Sequence, residues 1–137
     1  IKLDTNGCHP EMLKKLLDEQ LVDYAAMDIK NSPDKYAQTA GLARFDMTPV
    51  LESIRLLKES DIDYEFRTTV VGEFHEAADF HAIGEMIRGA RHYYLQCFTD
   101  RDTVPFKGLH APSAEAMREY EKIMRDYVPD TQIRGLE

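Results

Sequence analysis

Tyr64-Glu65-Phe66-Arg67-Thr68-Thr69-Val70-Val71 is the stretch on which the fold turns. β-branched and aromatic residues fill it, the types that pack best on a pleated, half-buried surface, so it reads as a strand. After it, Phe80, Ile83 and Ile87 recur at helical spacing between about Glu76 and Arg88, and Gly89 is placed to end that helix. A strand followed by a helix is the unit, and it recurs in both directions along the chain.

Upstream, Ile1-Lys2-Leu3 is a short strand-like run stopped by Asn6-Gly7. Pro10 then opens a helix with Leu13, Leu16, Leu17 and Leu21 on its apolar stripe. Residues Tyr24 to Ile29 read as a second strand, broken by Asn31-Ser32-Pro33 and followed by a short helix around Asp34 to Thr39. Thr48 and Pro49 read as an N-cap and first-turn pair, with Val50, Leu51, Ile54 and Leu57 behind them. Downstream, His92 to Phe98 is a fourth strand and Thr99 to Pro112 a loop. Ser113 caps a last helix carrying Met117, Tyr120, Met124 and Tyr127, and Gln132-Ile133-Arg134-Gly135 closes the chain as a fifth strand. Five strands alternating with four main helices imply right-handed βαβ units, a parallel sheet and an α/β fold.

The 137 residues are one domain's worth, 1–137. With 43% hydrophobic and 31% charged residues the composition is globular, and disorder of the whole chain is excluded. Lys and Arg number 17 against 25 Asp and Glu, a net charge of -8. That balance argues against a nucleic-acid surface and against an anionic membrane, both of which attract clustered positive charge. No apolar run approaches a membrane span. Cys8 and Cys97 are too few for a disulfide scaffold or a self-contained metal cluster, so they read as reduced thiols of a cytoplasmic protein.

In a parallel sheet, ligand chemistry collects at the carboxyl ends of the strands. Asp4, Thr5 and Asn6 fall there after the first strand, then Asp28 and Lys30 after the second. Arg67, Thr68 and Thr69 belong to the third, and Gln96, Cys97 and Phe98 end the fourth. Asp4 and Asp28 read as equivalent positions on neighbouring strands. Two carboxylates at one sheet edge repel unless a cation joins them. A bound cation, or recognition of a ligand's ammonium and carboxylate groups, accounts for the pair. So does a plain alternative, in which Asp4 caps the Asn6-Gly7 turn and Asp28 pairs with Lys30 or Arg67. Arg67, inside an apolar strand, is either an anion clamp or one half of an ion pair with Asp28 or Asp4. The histidines (His9, His75, His81, His92, His110) lack metal-binding spacing and read as surface or loop residues.

Four runs carry a resemblance: Lys2-Leu3-Asp4-Thr5-Asn6-Gly7, Ala26-Met27-Asp28-Ile29-Lys30, Phe66-Arg67-Thr68-Thr69-Val70-Val71 and Tyr94-Leu95-Gln96-Cys97-Phe98. In this order they resemble the later strands of radical SAM activating enzymes, which install a glycyl radical on anaerobic ribonucleotide reductase or pyruvate formate-lyase. The resemblance implies the C-terminal part of a partial (β/α) TIM-like barrel. It also implies S-adenosylmethionine (SAM) and a [4Fe–4S] cluster as cofactors of the whole enzyme, and an electron donor such as flavodoxin as a partner. Asp4, Thr5, Asn6, Lys30 and Arg67 would lie near SAM. Asp4, Thr5, the Ala26 carbonyl and Asp28 would hold a monovalent cation.

The family's CxxxCxxC and GGE motifs do not occur in the sequence, so no iron–sulfur ligand is expected in this chain. It is expected to be a fragment, inactive alone and without tight SAM binding. A free first-strand edge and an uncovered apolar inner face would make it self-associate into a small closed oligomer. The reading from a different class is a non-catalytic α/β module that binds a small molecule or a cation.

Overall fold

A computed structural model describes residues 1–99 and 108–135. Its five strands are β1 (Lys2–Thr5), β2 (Tyr24–Asp28), β3 (Asp63–Val70), β4 (Tyr93–Cys97) and β5 (Thr131–Arg134). They form one sheet in the order β1-β2-β3-β4-β5, every neighbouring pair parallel. The long helices are α1 (Pro10–Asp18), α3 (Thr48–Glu59), α4 (Ala77–Ile87) and α5 (Ala114–Arg125). A 3-10 turn (Pro33–Lys35) and the single-turn α2 (Tyr36–Thr39) follow β2. The expected α/β alternation holds, and the sheet is open, with β1 and β5 at its edges.

Register shows why the sequence folds this way. Leu3, Ala25, Tyr64 and Phe66 point to one face with Val70, Tyr93, Leu95 and Cys97, and there they join Leu13 of α1, Ile54 of α3, Phe80 of α4 and Met117 of α5 in a single core. The other face carries Lys2, Asp4, Tyr24, Asp28, Glu65, Arg67, Tyr94, Gln96 and Arg134. The side-chain period of two along each strand produces this split. The open face is therefore polar and not apolar, as the sequence had suggested. Its centre is Glu65, only 2% exposed. Tyr24 Oη donates to Glu65 Oε1 at 2.7 Å, and Arg134 Nη1 donates to Oε2 at 3.2 Å. Arg134 in turn lies 3.5 Å from the centre of the Tyr94 ring. A buried carboxylate is tolerated because both its oxygens are bonded.

Several boundaries differ from the sequence reading. β1 runs to Thr5, so Asp4 and Thr5 lie within the strand. The α3 N-cap is Met47, and Asp46 Oδ1, not Thr48, supplies the side-chain acceptor, taking the Thr48 N–H at 3.0 Å. Leu51 and Leu21 are solvent-exposed; Leu21 lies past the end of α1, and the α3 stripe closes with Val50, Ile54 and Leu57. Tyr127 lies beyond α5, while Ser113 caps that helix as expected, accepting from the Ala116 N–H at 3.0 Å. α4 starts with a reciprocal capping box between Glu76 and Asp79 that the sequence reading missed. Of the Thr99 to Pro112 loop, residues 100–107 lie outside the described residues.

At the amino ends of β3, β4 and β5 a clasp forms that the sequence reading did not single out. His92 Nδ1 lies 2.5 Å from Asp130 Oδ2, and its Nε2 lies 3.2 Å from Asp63 Oδ1. The hydrogen bond to Asp130 raises the imidazole pKa above its ordinary value; burial opposes it, and the Asp63 charge adds to it. A histidine whose folded pKa is raised contributes stability that is complete below the unfolded value, about 6.5, and is lost as pH rises through the folded value. His92→Gln should therefore cost more at about pH 5.5 than at about pH 8.5. Chemical denaturation at the two pH values checks this, and an identical cost at both would mean the ring pairs only as a neutral group. A second expectation concerns Gly84 inside α4, where alanine normally favours the helix by about 1 kcal/mol. Here a Cβ would stand 2.3 Å from the Tyr127 ring. Overpacking of this kind costs about 1–3 kcal/mol, so Gly84→Ala should lower the thermal midpoint rather than raise it.

Candidate functional site

The carboxyl ends of the strands carry the site, and the polar face feeds into it. Asp28 is the last residue of β2, opposite Arg67 of β3 in register. Arg67 Nε donates to Asp28 Oδ1 at 2.7 Å, and its Nη2 lies 3.6 Å from Asp4 Oδ1. Lys30 Nζ stands 3.9 Å from Asp28 Oδ2. Partial burial opposes the Arg67 charge, but the bond to Asp28 and the nearby charges of Asp4 and Glu65 hold its pKa above the ordinary value.

The structure thus realises the ion-pair reading of Arg67 and brings Asp4, Asp28, Lys30 and Arg67 together. It corrects the register: Asp4 lies opposite Ala26, not Asp28, and Arg67 reaches across to both carboxylates. It also corrects the turn. Asp4 does not cap Asn6-Gly7. Thr5 Oγ1 accepts the Gly7 N–H at 3.0 Å, and Asn6 Oδ1 accepts the Cys8 N–H at 2.9 Å. Gly7 has φ +76, and a Cβ there would stand 2.1 Å from Met27 Cε. Only glycine lets this turn sit on the core.

A cleft of about 260 Å³ opens beside this cluster. Asp28, Lys30, Gln38, Thr39 and Thr69 give it polar groups, and Val71, Phe74, Phe98 and Leu109 give it an apolar wall. Asp28, Lys30, Thr69 and Phe98 were placed at strand ends from the sequence. Gln38, Thr39, Phe74 and Leu109 were not, since loops bring them there; the one usable signal was that long loops at this end of the sheet tend to line a site. Asp4, Thr5, Asn6, Ala26 and Arg67 do not line the cleft.

Behind the cleft-lining residues runs a set of paired polar groups. Thr68 Oγ1 donates to the Ile29 carbonyl at 2.7 Å and accepts from Tyr93 Oη. Asn31 Nδ2 donates to Thr39 Oγ1 and to the Phe74 carbonyl, and Ser32 Oγ donates to Asp79 Oδ1 at 2.9 Å. Lys35 Nζ completes the set on Asp79 Oδ2 at 2.8 Å. Burial works against the Asp79 charge, but Lys35, the Glu76 N–H and Ser32 hold its carboxyl below the usual range. His75, expected on the surface or in a loop, lies in a loop but is buried. Burial lowers its pKa below the ordinary imidazole value, against the hydrogen bonds to the Lys30 and Val71 backbone. The Tyr36 hydroxyl makes no hydrogen bond of good geometry, although the Lys30 backbone lies beside it, and burial pushes its pKa up to about 12.

The donor set has clear chemical limits. Among the described residues no group of three or more His, Cys, Asp or Glu could hold a metal ion. Cys8 and Cys97 are free thiols, and Cys97 is buried on the helix-covered side of the sheet. These residues do not fit an iron–sulfur cluster. An ammonium and a carboxylate beside an apolar wall do fit a zwitterionic ligand with an apolar or aromatic body.

No protein-family model matches the chain. The resemblance read from the sequence nevertheless holds. The chain is 33% identical to a Methanocaldococcus jannaschii protein assigned as a glycyl-radical enzyme activating enzyme, with 99% of this chain aligned. It spans 59% of that relative's length. Two solved structures share the fold. One is a domain of pyruvate-formate lyase-activating enzyme from Bacteroides vulgatus, with a TM-score of 0.66 and 17% identity, covering 93% of this chain and 92% of that one. The other is a radical SAM methyltransferase from Sphaerobacter thermophilus, with a TM-score of 0.80 and 18% identity, covering 98% of this chain and 40% of the other. Among the described residues no helix is long and apolar enough to cross a membrane.

Proposed function

We propose that this chain is the C-terminal part of the radical SAM core of a cytoplasmic activating enzyme. The whole enzyme cleaves SAM and installs a glycyl radical on a partner such as anaerobic ribonucleotide reductase or pyruvate formate-lyase, with an electron donor of the flavodoxin type. The observation that carries the reading is the gathering of Asp28, Lys30 and Arg67 at adjacent strand ends beside a cleft with an apolar wall. The motif order and the similarity along the whole chain support it.

SAM, when bound, supplies the sulfonium whose reductive cleavage yields the radical. This chain's residues contribute binding and orientation. Lys30 offers an ammonium to a carboxylate, and Asp28, held by Arg67, offers a carboxylate to an ammonium. Phe74 and Phe98 exclude water from the apolar end. Asp4, Thr5, the Ala26 carbonyl and Asp28 are the candidates for a monovalent-cation site. Arg67 and Lys30 already balance the two carboxylates, so the charge count does not demand an added cation.

The alternative, a cation or small-molecule binding module without catalysis, draws on the same cleft. Cleavage of SAM by the whole protein separates the two, and Asp28→Asn then tests the cleft. The substitution removes one of the two carboxylate charges on Arg67 and should lower SAM cleavage at every sodium and potassium concentration. Unchanged cleavage throughout would return Asp28 to a purely structural role. The self-association expected from the sequence now rests on the β1 edge alone, since the open face is polar. Light scattering on this chain should show a small closed oligomer such as a dimer. A monomer at all concentrations would show that the edge is covered in another way.

A further inference from the structure

Asp28 and Lys30 can face the same cleft only while the chain between them stays extended, because side chains two apart share a face in extended backbone alone. The sheet does not secure that extension. β2 ends at Asp28, and the final ladder bond is the Ile29 N–H to the Arg67 carbonyl at 2.7 Å. Beyond it, two buried side chains take over. Thr68 Oγ1 holds the Ile29 carbonyl, and His75 Nε2 holds the Lys30 carbonyl at 2.9 Å. At Asn31 the chain then turns away, tied to the Phe74 carbonyl.

We propose that His75 is a positioning residue for the cleft: by holding the Lys30 carbonyl it sets the direction of the Lys30 ammonium toward a ligand carboxylate. The ring is suited to this. It is 4% exposed, and its Nδ1 accepts the Val71 N–H at 3.1 Å. Nδ1 being an acceptor, the neutral ring carries its proton on Nε2 and donates it to Lys30. Tyr120 Oη donates to the His75 carbonyl at 3.3 Å, and the Phe80 ring lies 5.7 Å away, so the loop that carries His75 is itself held. The contact joins the two loops that form the cleft, one bearing Lys30 and the other Phe74. The role toward SAM rests on the functional reading above; the contact itself does not.

Two substitutions divide the ring's two bonds. His75→Asn can keep the acceptor for Val71 but is too short to reach Lys30. His75→Gln can reach Lys30 with an N–H but gives up the acceptor. Each loses one hydrogen bond, so their stabilities should fall by similar amounts. In the whole protein with its cluster assembled, SAM affinity measured by calorimetry should fall up to about tenfold for His75→Asn, while His75→Gln stays close to the parent. Amide exchange at Asn31 and Ser32 should quicken only in His75→Asn. Equal SAM affinity in all three proteins, or losses in both variants that track their melting temperatures, would overturn the proposal. If the parent bound no SAM, the functional reading would fall, and amide exchange would still decide whether His75 holds Lys30.

Discussion

A parallel sheet with helices on only one face sends every second side chain into the helix-covered core and its neighbours onto the open face. β3 bears this constraint over the greatest length, because it is the longest strand and is paired on both sides. Tyr64, Phe66, Thr68 and Val70 go inward; Asp63, Glu65, Arg67 and Thr69 go outward. The inward set fixes the helices, and the outward set fixes the electrostatics of the open face. A slip of one residue would carry Glu65 and Arg67 into the aromatic core away from their partners Tyr24, Arg134 and Asp28, a heavy cost against the stability of a small domain. The register of the central strand is thus secured by charge as much as by apolar packing.

The same strand couples the face to the site. Arg67 joins β1 to β2 through Asp4 and Asp28, and Thr68, one residue on, supports the backbone beyond Asp28 from below. The Asp28 carboxylate is therefore held in place before any ligand arrives, and the Lys30 loop lies on a buried polar floor. Both features reduce the ordering cost that a ligand would otherwise bear.

Much of this was legible in the sequence, and for a physical reason. Strand and helix periods are local, so Tyr64 to Val71 and the Phe80, Ile83 and Ile87 stripe could be read directly. The topological rule then placed Asp28, Lys30 and Arg67 at one edge. Contacts decided across loops were not legible. The approach of Gln38, Thr39 and Phe74 to Lys30 depends on how the segment after β2 folds back. The burial of His75 depends on that fold as well. The polar character of the open face was within reach, because Glu65 and Arg67 alternate with Tyr64 and Phe66. The strand's overall apolar content masks that alternation, because composition carries no phase. Asp4 was set one ladder step out, since a short first strand gives no register signal of its own.

Strand order equals chain order, and this bears on how the domain forms. Every pairing joins strands separated by one crossover, so no strand waits for a partner at the far end of the chain. Loop closure stays short at each step, which favours fast folding for a parallel sheet. Synthesis adds residues from the amino end, so each new βα unit can dock on the strand already in place. β5 follows β4 in this order and brings Arg134 to Glu65. Among the described residues, the other hydrogen-bond partner of that carboxylate is the Tyr24 hydroxyl. The pairing of β5 with β4 thus also places a positive charge on the open face beside Glu65.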